Sequence, residues 1–169
     1  MRIRPLVEDD LDWLSELFAD GNVTRHLATG RLSGEEAREF AREFIDDSLK
    51  EFAAFDCGAM AVEHREDGLT IGYGGLRTLP DIDHCAELIY ALSPGYWGQG
   101  LASEAAGAIV AWGFREFTDL NEIIALARPE NSASITVMQR TGLRYRGSCA
   151  RYYGEELAEY AIAASRHRA

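Results

Sequence analysis

The sequence is poor in the features that define several protein classes. It has three cysteines, Cys57, Cys85 and Cys149, and none has C-x-x-C spacing. An odd number of isolated cysteines is not typical of a disulfide framework or a zinc site, so we expect reduced packing residues. No apolar run approaches the ~18 residues of a membrane span, and the stretch MRIRPLVEDDLDW has charges where a signal peptide has its apolar core. We therefore expect a cytoplasmic protein without a membrane partner.

Basic residues are also scarce. The chain has 17 Lys and Arg against 28 Asp and Glu, a net charge of −11. A nucleic acid is not an expected partner, because binding its backbone requires a basic surface. The acidic residues either solvate helix faces such as GEEAREFAREFIDDSLKE or attract cationic substrates such as polyamines, basic peptides or aminoglycosides. With 169 residues, 47% of them hydrophobic, the chain is expected to form a single domain over 1–169.

Two amphipathic helices are predicted in the first third of the chain. A short strand at Arg2–Leu6 precedes a helix whose inner face is marked by Leu11, Leu14, Leu17 and Phe18. The segment GNVTRHLATGRLS is interpreted as a polar connection. Ser33 and Glu36 have capping-box spacing, so a second helix is predicted from there to about Phe52. Its inward residues would be Ala37, Phe40, Phe44, Ile45 and Leu49.

The rest of the chain alternates strands and helices. Turn sequences EDG and LPDID separate three strand-like runs, FDCGAMAVEHR, LTIGYGGLRTL and HCAELIYALS, which predicts an antiparallel meander. A helix from about Leu101 to Phe117 then leads to the strand NEIIALARPEN, forming a βαβ crossover. A short helix, SASITVMQRTG, and two strands, LRYRG and LAEYAIAA, follow. The expected fold is α/β (α+β), with a mixed, mostly antiparallel sheet of about seven strands and four helices.

The loop YWGQGLAS before the third long helix is the strongest functional signal. Backbone N–H groups at a helix N-terminus bind anions, and glycine lets a phosphate approach closely. A P-loop would need Lys and then Ser or Thr after the second glycine, where this chain has Leu101 and Ala102. A dinucleotide fingerprint, with nicotinamide-dependent reduction, is one alternative, although Gly98-Gln99-Gly100 alone does not define it. A loop that only turns the chain is another.

A longer segment around this loop carries a family resemblance. LSPGYWGQGLASEA, at 92–105, resembles the acetyl-coenzyme A loop of the GNAT N-acetyltransferase superfamily, in particular the ribosomal-protein N-terminal acetyltransferases and their small-amine relatives. The superfamily pattern of Gln or Arg, two residues, Gly, one residue, and Gly or Ala falls on 97–102, with Trp97 in place of the usual polar residue. A second segment, RPENSAS at 128–134, is similar to the one in which an asparagine contacts the pantetheine arm.

The resemblance implies a twisted sheet that is splayed to hold acetyl-CoA, without a metal. The acetyl group would move to a primary amine, either a small molecule or a protein N-terminus, by direct attack in a ternary complex. Backbone groups of Tyr90 and Leu92 would pair with the thioester carbonyl and the pantetheine amides. Asn131 would hydrogen-bond the arm, cap a helix, or do both. The N–H groups implied to bind the pyrophosphate belong to Gly98, Gln99, Gly100, Leu101, Ala102 and Ser103.

The groups that move protons follow less directly from the sequence. Some relatives carry a glutamate and a tyrosine at positions that are Leu126 and Met138 here. Glu87, in the apolar strand CAELIYAL, is the candidate base because burial would raise its pKa; a solvent-facing glutamate is the alternative. Ser134 either donates a proton to the leaving thiolate or is an ordinary helix serine.

Three expectations stay open at this point. The amine pocket is expected to use Val23–Leu27 and Arg151-Tyr152-Tyr153, although the tyrosines could simply pack the sheet. The absent acid/base pair leaves room for a second class, a catalytically idle acyl-CoA-binding sensor or interaction module. Exposed strand edges make a homodimer plausible.

Overall fold

The computed structural model describes residues 1–27, 29–79, 82 and 84–167. The strands are β1 (Arg2–Pro5), β2 (Ala59–Glu63), β3 (Thr70–Thr78), β4 (Cys85–Leu92), β5 (Glu122–Ala127), β6 (Arg144–Cys149) and β7 (Leu157–Ala163). The helices are α1 (Leu11–Ala19), α2 (Gly21–Thr24), α3 (Gly34–Phe55), α4 (Leu101–Glu116), α5 (Ser132–Arg140) and α6 (Ala164–His167). The four predicted helices are α1, α3, α4 and α5. The one-turn helix α2 lies in the segment that was predicted to be only a polar connection.

The sheet has the predicted mixed character. Its strand order is β1-β2-β3-β4-β5-β7-β6, and β4 with β5 is the single parallel pair among the described strands. The meander β2-β3-β4 is confirmed. In the predicted turn LPDID, Pro80, Asp81 and Asp83 lie outside the described residues.

Helices cover both faces of the sheet. Helices α1 and α3 pack on one face, where Phe18, Ile45 and Tyr73 belong to a single buried cluster. Helix α4 packs on the other face, where Ile109 and Leu76 share a cluster with Met138 of α5. Within the residues that the structure describes, no helix combines the length and apolarity needed to cross a membrane.

Helix α3 begins as its sequence predicts. The Ser33 hydroxyl accepts from the Glu36 N–H at 3.4 Å, and the Glu36 carboxylate accepts from the Ser33 N–H at 2.7 Å. This capping box satisfies two donors that the first turn leaves free. The helix ends three residues later than expected, where Asp56 adopts the left-handed conformation with φ of 54°.

The inner face of α3 departs from the prediction near its C-terminal end. Leu49 was expected inside but is 38% exposed, whereas Ser48 is buried. The Ser48 hydroxyl accepts from the Ala59 N–H at 2.6 Å and donates to the Ala59 carbonyl at 3.1 Å. A polar residue is buried here because it satisfies the backbone at the start of β2, which apolar periodicity cannot reveal.

Strands β4 and β5 separate after a short parallel contact. They pair only between Cys85–Glu87 and Glu122–Ile124, although β4 continues to Leu92 and β5 to Ala127. On its far side β5 stays paired with β7 along its whole length. A gap therefore opens between the C-terminal halves of β4 and β5, and the sheet is splayed as predicted.

Candidate active site

The glycine loop lies directly after β4 and ends at the start of α4. Gly98 and Gly100 have φ of 74° and 80°, a left-handed conformation in which a side chain is strained. A Cβ added at either position would meet no atom within 4 Å. Glycine is therefore needed for the backbone conformation, and the space in front of the loop is open.

The loop presents a row of unpaired amides. In the described parts of the chain, no protein acceptor lies within hydrogen-bond reach of the N–H groups of residues 98–103. The first-turn amides of any helix lack intrahelical partners, and the helix dipole adds partial positive charge there. Unpaired amides in this arrangement are suited to binding an anion.

Two side chains fix the loop against the strand end. The Trp97 indole donates to the Leu92 carbonyl at 2.7 Å, and the Gln99 amide donates to the Gly95 carbonyl at 3.2 Å. Trp97 stands where the family pattern has a polar residue. Its observed contact is an anchor from the loop to the end of β4.

The pairing of β4 with β3 shows which backbone groups of β4 face the gap. The Ser93 N–H donates to the Ile71 carbonyl at 2.7 Å, so the residues of β4 that bond to β3 are the odd-numbered ones. Because neighbouring residues alternate, Tyr90 and Leu92 direct their N–H and C=O groups toward the gap. The Leu92 carbonyl already accepts from Trp97, which leaves Tyr90 with both groups free of strand partners.

A cavity of about 190 Å³ passes through the gap. Its walls include Glu87 and Ile89, which face the α3 side of the sheet, and also Leu88 and Tyr90, which face the α5 side. Successive residues of a strand face opposite sides, so a closed sheet would keep these pairs apart. The split allows groups from both faces to line one space.

Glu87 lies in this cavity and is only 4% exposed. The Tyr153 hydroxyl donates to Glu87 Oε2 at 2.6 Å. Burial raises the pKa of Glu87, and the Tyr153 hydrogen bond and the positive charge of Arg77 oppose that rise without cancelling it. Burial and the nearby negative charge of Glu87 also raise the pKa of Tyr153, which keeps its hydroxyl protonated.

Ser134 lies across the cavity, in the first turn of α5. The Tyr90 and Ser134 hydroxyl oxygens are 2.8 Å apart, and the Tyr90 hydroxyl lies 3.0 Å from the Ser134 carbonyl, to which it can donate. Burial raises the pKa of Tyr90 to about 12, so the phenol is protonated at neutral pH. Asn131 caps α5, since its Oδ1 accepts from the Ser134 N–H at 3.1 Å.

The structure brings several of the sequence candidates together. His26 and Leu27 line the cavity, as does Tyr153, from the two segments expected to form an amine pocket. Two further side chains line the cavity without having been predicted. For Tyr90 the sequence predicts only a backbone role, and Arg77 comes to lie opposite Glu87 through the pairing register of β3 with β4.

The three cysteines lie away from the cavity. All three cysteines are free, and none of them lines the cavity. Burial raises the pKa of both Cys57 and Cys85 to about 11, which leaves almost no thiolate at neutral pH. The described part of the chain contains no cluster of three or more His, Cys, Asp or Glu residues suited to a metal ion.

A split mixed sheet, with an amide-rich helix N-terminus at the mouth of the gap, is the arrangement of a GNAT acetyltransferase. The chain belongs to that family: the family model described as Acetyltransferase (GNAT) domain matches residues 1–144. An N-acetyltransferase of Bacillus subtilis (strain 168), YnaD, which is named as uncharacterized, is 32% identical over 144 residues, covering 80% of this chain and 75% of that protein.

Solved structures give the same fold. A GNAT-family acetyltransferase from Bacillus anthracis superposes with a TM-score of 0.77 and 27% identity, over 96% of this chain and 94% of that one. A Vibrio cholerae spermidine N-acetyltransferase, solved with CoA and spermine, superposes with a TM-score of 0.78 over 99% and 98% of the two chains. Its 18% identity supports the likeness of fold alone.

Proposed function

We propose that this protein transfers the acetyl group of acetyl-CoA to a primary amine by direct attack in a ternary complex. The observation that carries the proposal is the cavity through the split sheet. It holds a buried carboxylate, Glu87, and a hydroxyl pair, Tyr90 and Ser134, on opposite sides of one space. Direct amine transfer requires a group that accepts a proton and a group that returns one.

The described residues fit acetyl-CoA in three places. The unpaired amides of residues 98–103 suit its diphosphate, and the free edge of Tyr90 suits an amide of the pantetheine arm as a neighbouring strand would. Asn131 and Ser132 border a second opening beside α5, where the arm would pass. When bound, acetyl-CoA supplies an acyl group activated as a thioester.

Glu87 is the proposed base. An amine attacks only in its neutral form, so an acceptor that arrives as an ammonium ion must first lose a proton. Tyr153 occupies Oε2 of Glu87, while Oε1 has no donor among the described residues and can accept that proton. A raised pKa of Glu87 brings it closer to the working pH, where a base is most effective.

Tyr90 and Ser134 are the proposed acid. The two hydroxyls share a hydrogen bond, so one can donate to the leaving sulfur while the other replaces the proton. A pKa of about 12 keeps Tyr90 protonated until the thiolate forms. Glu87 thus takes the place of the glutamate, and this pair takes the place of the tyrosine, that some relatives carry at the positions of Leu126 and Met138.

Release of free thiol tests the function. The protein is incubated with acetyl-CoA and a panel of amino acids, polyamines, basic N-terminal peptides and aminoglycosides. At least one acceptor should release CoA and gain an acetyl group detectable by mass spectrometry. Binding of acetyl-CoA without transfer to any acceptor would refute the catalytic proposal and favour an acyl-CoA sensor.

The loop assignment is tested by one glycine substitution with a matched control. Gly100→Val should weaken acetyl-CoA binding at least about tenfold, because a side chain at φ of 80° distorts the amides and narrows the approach. Gly68→Val has a similar φ of 71° and equally open space, but lies in the β2–β3 turn. Gly68→Val should lose about as much stability as Gly100→Val but keep its affinity for acetyl-CoA. Unchanged affinity in Gly100→Val would show that the diphosphate binds elsewhere.

A further inference from the structure

Arg77 is a cavity residue that the proposed acetyl transfer does not use. It lies on β3 directly opposite Glu87 in the β3–β4 register, and both side chains line the cavity. Its guanidinium carbon lies 6.0 Å from the centre of the Phe44 ring. The β-sheet therefore places a positive group beside the proposed base.

The guanidinium of Arg77 has no ion-pair partner. In the described ranges, no carboxylate oxygen lies within 4.0 Å of it. Burial acts to lower the pKa of Arg77, but the electrostatic effects of Tyr153, Glu51 and Glu87 outweigh it, so the pKa is raised and the guanidinium is charged. A ligand carboxylate in the cavity would supply the close ion pair that the described residues do not.

The other arginine of the cavity, unlike Arg77, has a carboxylate partner within ion-pair distance. Arg128 pairs with Glu155 at 3.1 Å and donates to the Arg25 carbonyl at 2.9 Å. These contacts tie the end of β5 to the loops on either side of the cavity. Arg128 is therefore already engaged, and so is the carboxylate of Glu155.

The charged residues that line the cavity disfavour a polyamine as the acceptor. The carboxylates that line the cavity are Glu87, which is the proposed base, and Glu155, which is paired. No further acidic residue is available among the described lining residues for a second ammonium group, and two arginines would repel it. The cavity of about 190 Å³ is also small compared with the ~300–1,000 Å³ of typical drug-sized pockets.

We propose that the acceptor is a small amino acid with an apolar side chain, whose carboxylate binds Arg77 while its amine is presented to Glu87. The inference rests on the proposed acetyl transfer and names its substrate class. Opposed residues of an antiparallel pair have Cβ atoms about 4.5–5.5 Å apart, which suits a ligand whose amine and carboxylate are attached to the same carbon. Aromatic rings of Phe40, Phe44 and Tyr73 supply the apolar wall.

The reaction balances with these groups and proton exchange with solvent. An acceptor that enters as an ammonium ion first loses one proton to solvent through Glu87. A bond then forms between the amine nitrogen and the acetyl carbon, and the bond from that carbon to sulfur breaks. The proton that the nitrogen loses on attack passes to Glu87, the sulfur takes a proton from the hydroxyl pair, and exchange with solvent restores Glu87 and the pair. The products are an N-acetyl amino acid and free CoA.

Three matched acceptors test the carboxylate requirement. Leucine, leucinamide and 3-methylbutylamine share the same side chain. At the carbon that bears the amine, leucine carries a carboxylate, leucinamide carries an amide, and 3-methylbutylamine carries neither. With wild-type protein, kcat/KM should be highest for leucine, by about 10- to 100-fold over leucinamide, the range for a hydrogen bond to a charged group. Arg77→Gln should remove that preference, because kcat/KM falls more for leucine than for leucinamide; a change common to both acceptors would report the loss of the Arg77 charge beside Glu87.

Two further variants exclude a merely structural effect. Arg77→Lys should recover part of the preference for leucine, because it restores the charge but not the paired N–H groups. Arg115→Gln removes an exposed arginine near the end of α4 and should leave all three acceptors unchanged. Affinity for acetyl-CoA, measured directly, should be equal in all variants.

The outcomes separate this inference from the function on which it rests. Preferential acetylation of leucinamide, 3-methylbutylamine or a polyamine by the wild-type protein would overturn the amino-acid assignment and leave acetyl transfer standing. An equal loss for leucine and leucinamide in Arg77→Gln would overturn it as well, since Arg77 would then only position Glu87. Acetyl-CoA binding with no transfer to any amine would remove the function and the inference together. If Arg77→Gln fails to fold, the wild-type comparison decides alone.

Discussion

Replacing Glu87 with glutamine should lower activity and raise stability at the same time. The glutamine side chain would keep the shape of the original and an oxygen that accepts from Tyr153, but it cannot take a proton from the amine. A positioned general base contributes about 10²–10⁴ in rate, so kcat should fall by that factor. At about 1.36 kcal/mol per tenfold, this is about 2.7–5.4 kcal/mol of transition-state stabilisation.

The stability gain follows from the same burial. Glu87 is 4% exposed, and its pKa is raised because the desolvation of its charge outweighs the contributions of Tyr153 and Arg77. The folded state therefore holds its proton to higher pH than the unfolded chain, and folding loses stability as the pH rises through the folded pKa. At neutral pH the neutral amide avoids this loss. We expect the free energy of unfolding to increase by about 1 kcal/mol, which is the low end of the cost of burying an imperfectly satisfied polar group. This increase would raise Tm by about 2–4 °C.

The pH dependence distinguishes this reasoning from a general packing effect. Below pH ~4, glutamate is protonated in both the folded and unfolded states, so wild type and Glu87→Gln should unfold at the same temperature. Calorimetry at pH 4 and pH 7, with thiol-release kinetics at pH 7, measures both effects. Glu39→Gln, an exposed substitution on α3, is the control and should change neither quantity. A lower Tm of Glu87→Gln at pH 7 would refute the argument, since the carboxylate would then be net stabilising.

Two further substitutions test the contacts that hold the fold. Ser48→Ala should lower the free energy of unfolding by about 1–3 kcal/mol, because it leaves the buried backbone of Ala59 without its partner. A loss below about 0.5 kcal/mol, roughly the error of urea unfolding, would contradict this. Arg4→Met should cost about 3–5 kcal/mol at pH 7, because Arg4 donates to both oxygens of the buried Asp10 at 2.7 and 2.8 Å. Burial acts to raise the pKa of Asp10, but hydrogen bonds led by that from Arg4 lower it overall, so this stability is present at neutral pH and lost as the pH falls below about 4. The difference between wild type and Arg4→Met should therefore narrow at pH 3, and a constant difference would show that the Asp10 charge is not involved.

Local signals in the sequence were sufficient for much of the fold. The capping box at Ser33 and Glu36 fixed the start of α3 to the residue, because both bonds lie within one turn. The glycine loop was equally readable, since the conformations of Gly98 and Gly100 and the unpaired amides of the next turn depend only on nearby residues. Such features need no knowledge of tertiary contacts.

The acceptor side of the site needed the pairing of distant segments. Tyr153 contacts Glu87 across 66 residues of sequence, from a loop whose position no local pattern specifies. Arg77 becomes neighbour to Glu87 only through the register of β3 with β4. A one-residue change of that register would turn Arg77 to the opposite face, so its role depends on the alignment of the whole hairpin.

The spacing of the proposed base and acid along β4 explains why the sheet must split. Glu87 and Tyr90 are three residues apart, an odd number, so their side chains leave the strand on opposite faces. In a continuous sheet the backbone of β5 would stand between them, and no single substrate could contact both. Because β5 leaves β4 after Glu87, the two side chains reach one cavity from its two sides. An amine that approaches from the α3 face would then meet Glu87, which takes its proton, and a sulfur that leaves toward the α5 face would meet Tyr90, which supplies one. The proposed chemistry therefore depends on the parallel pairing ending at this point.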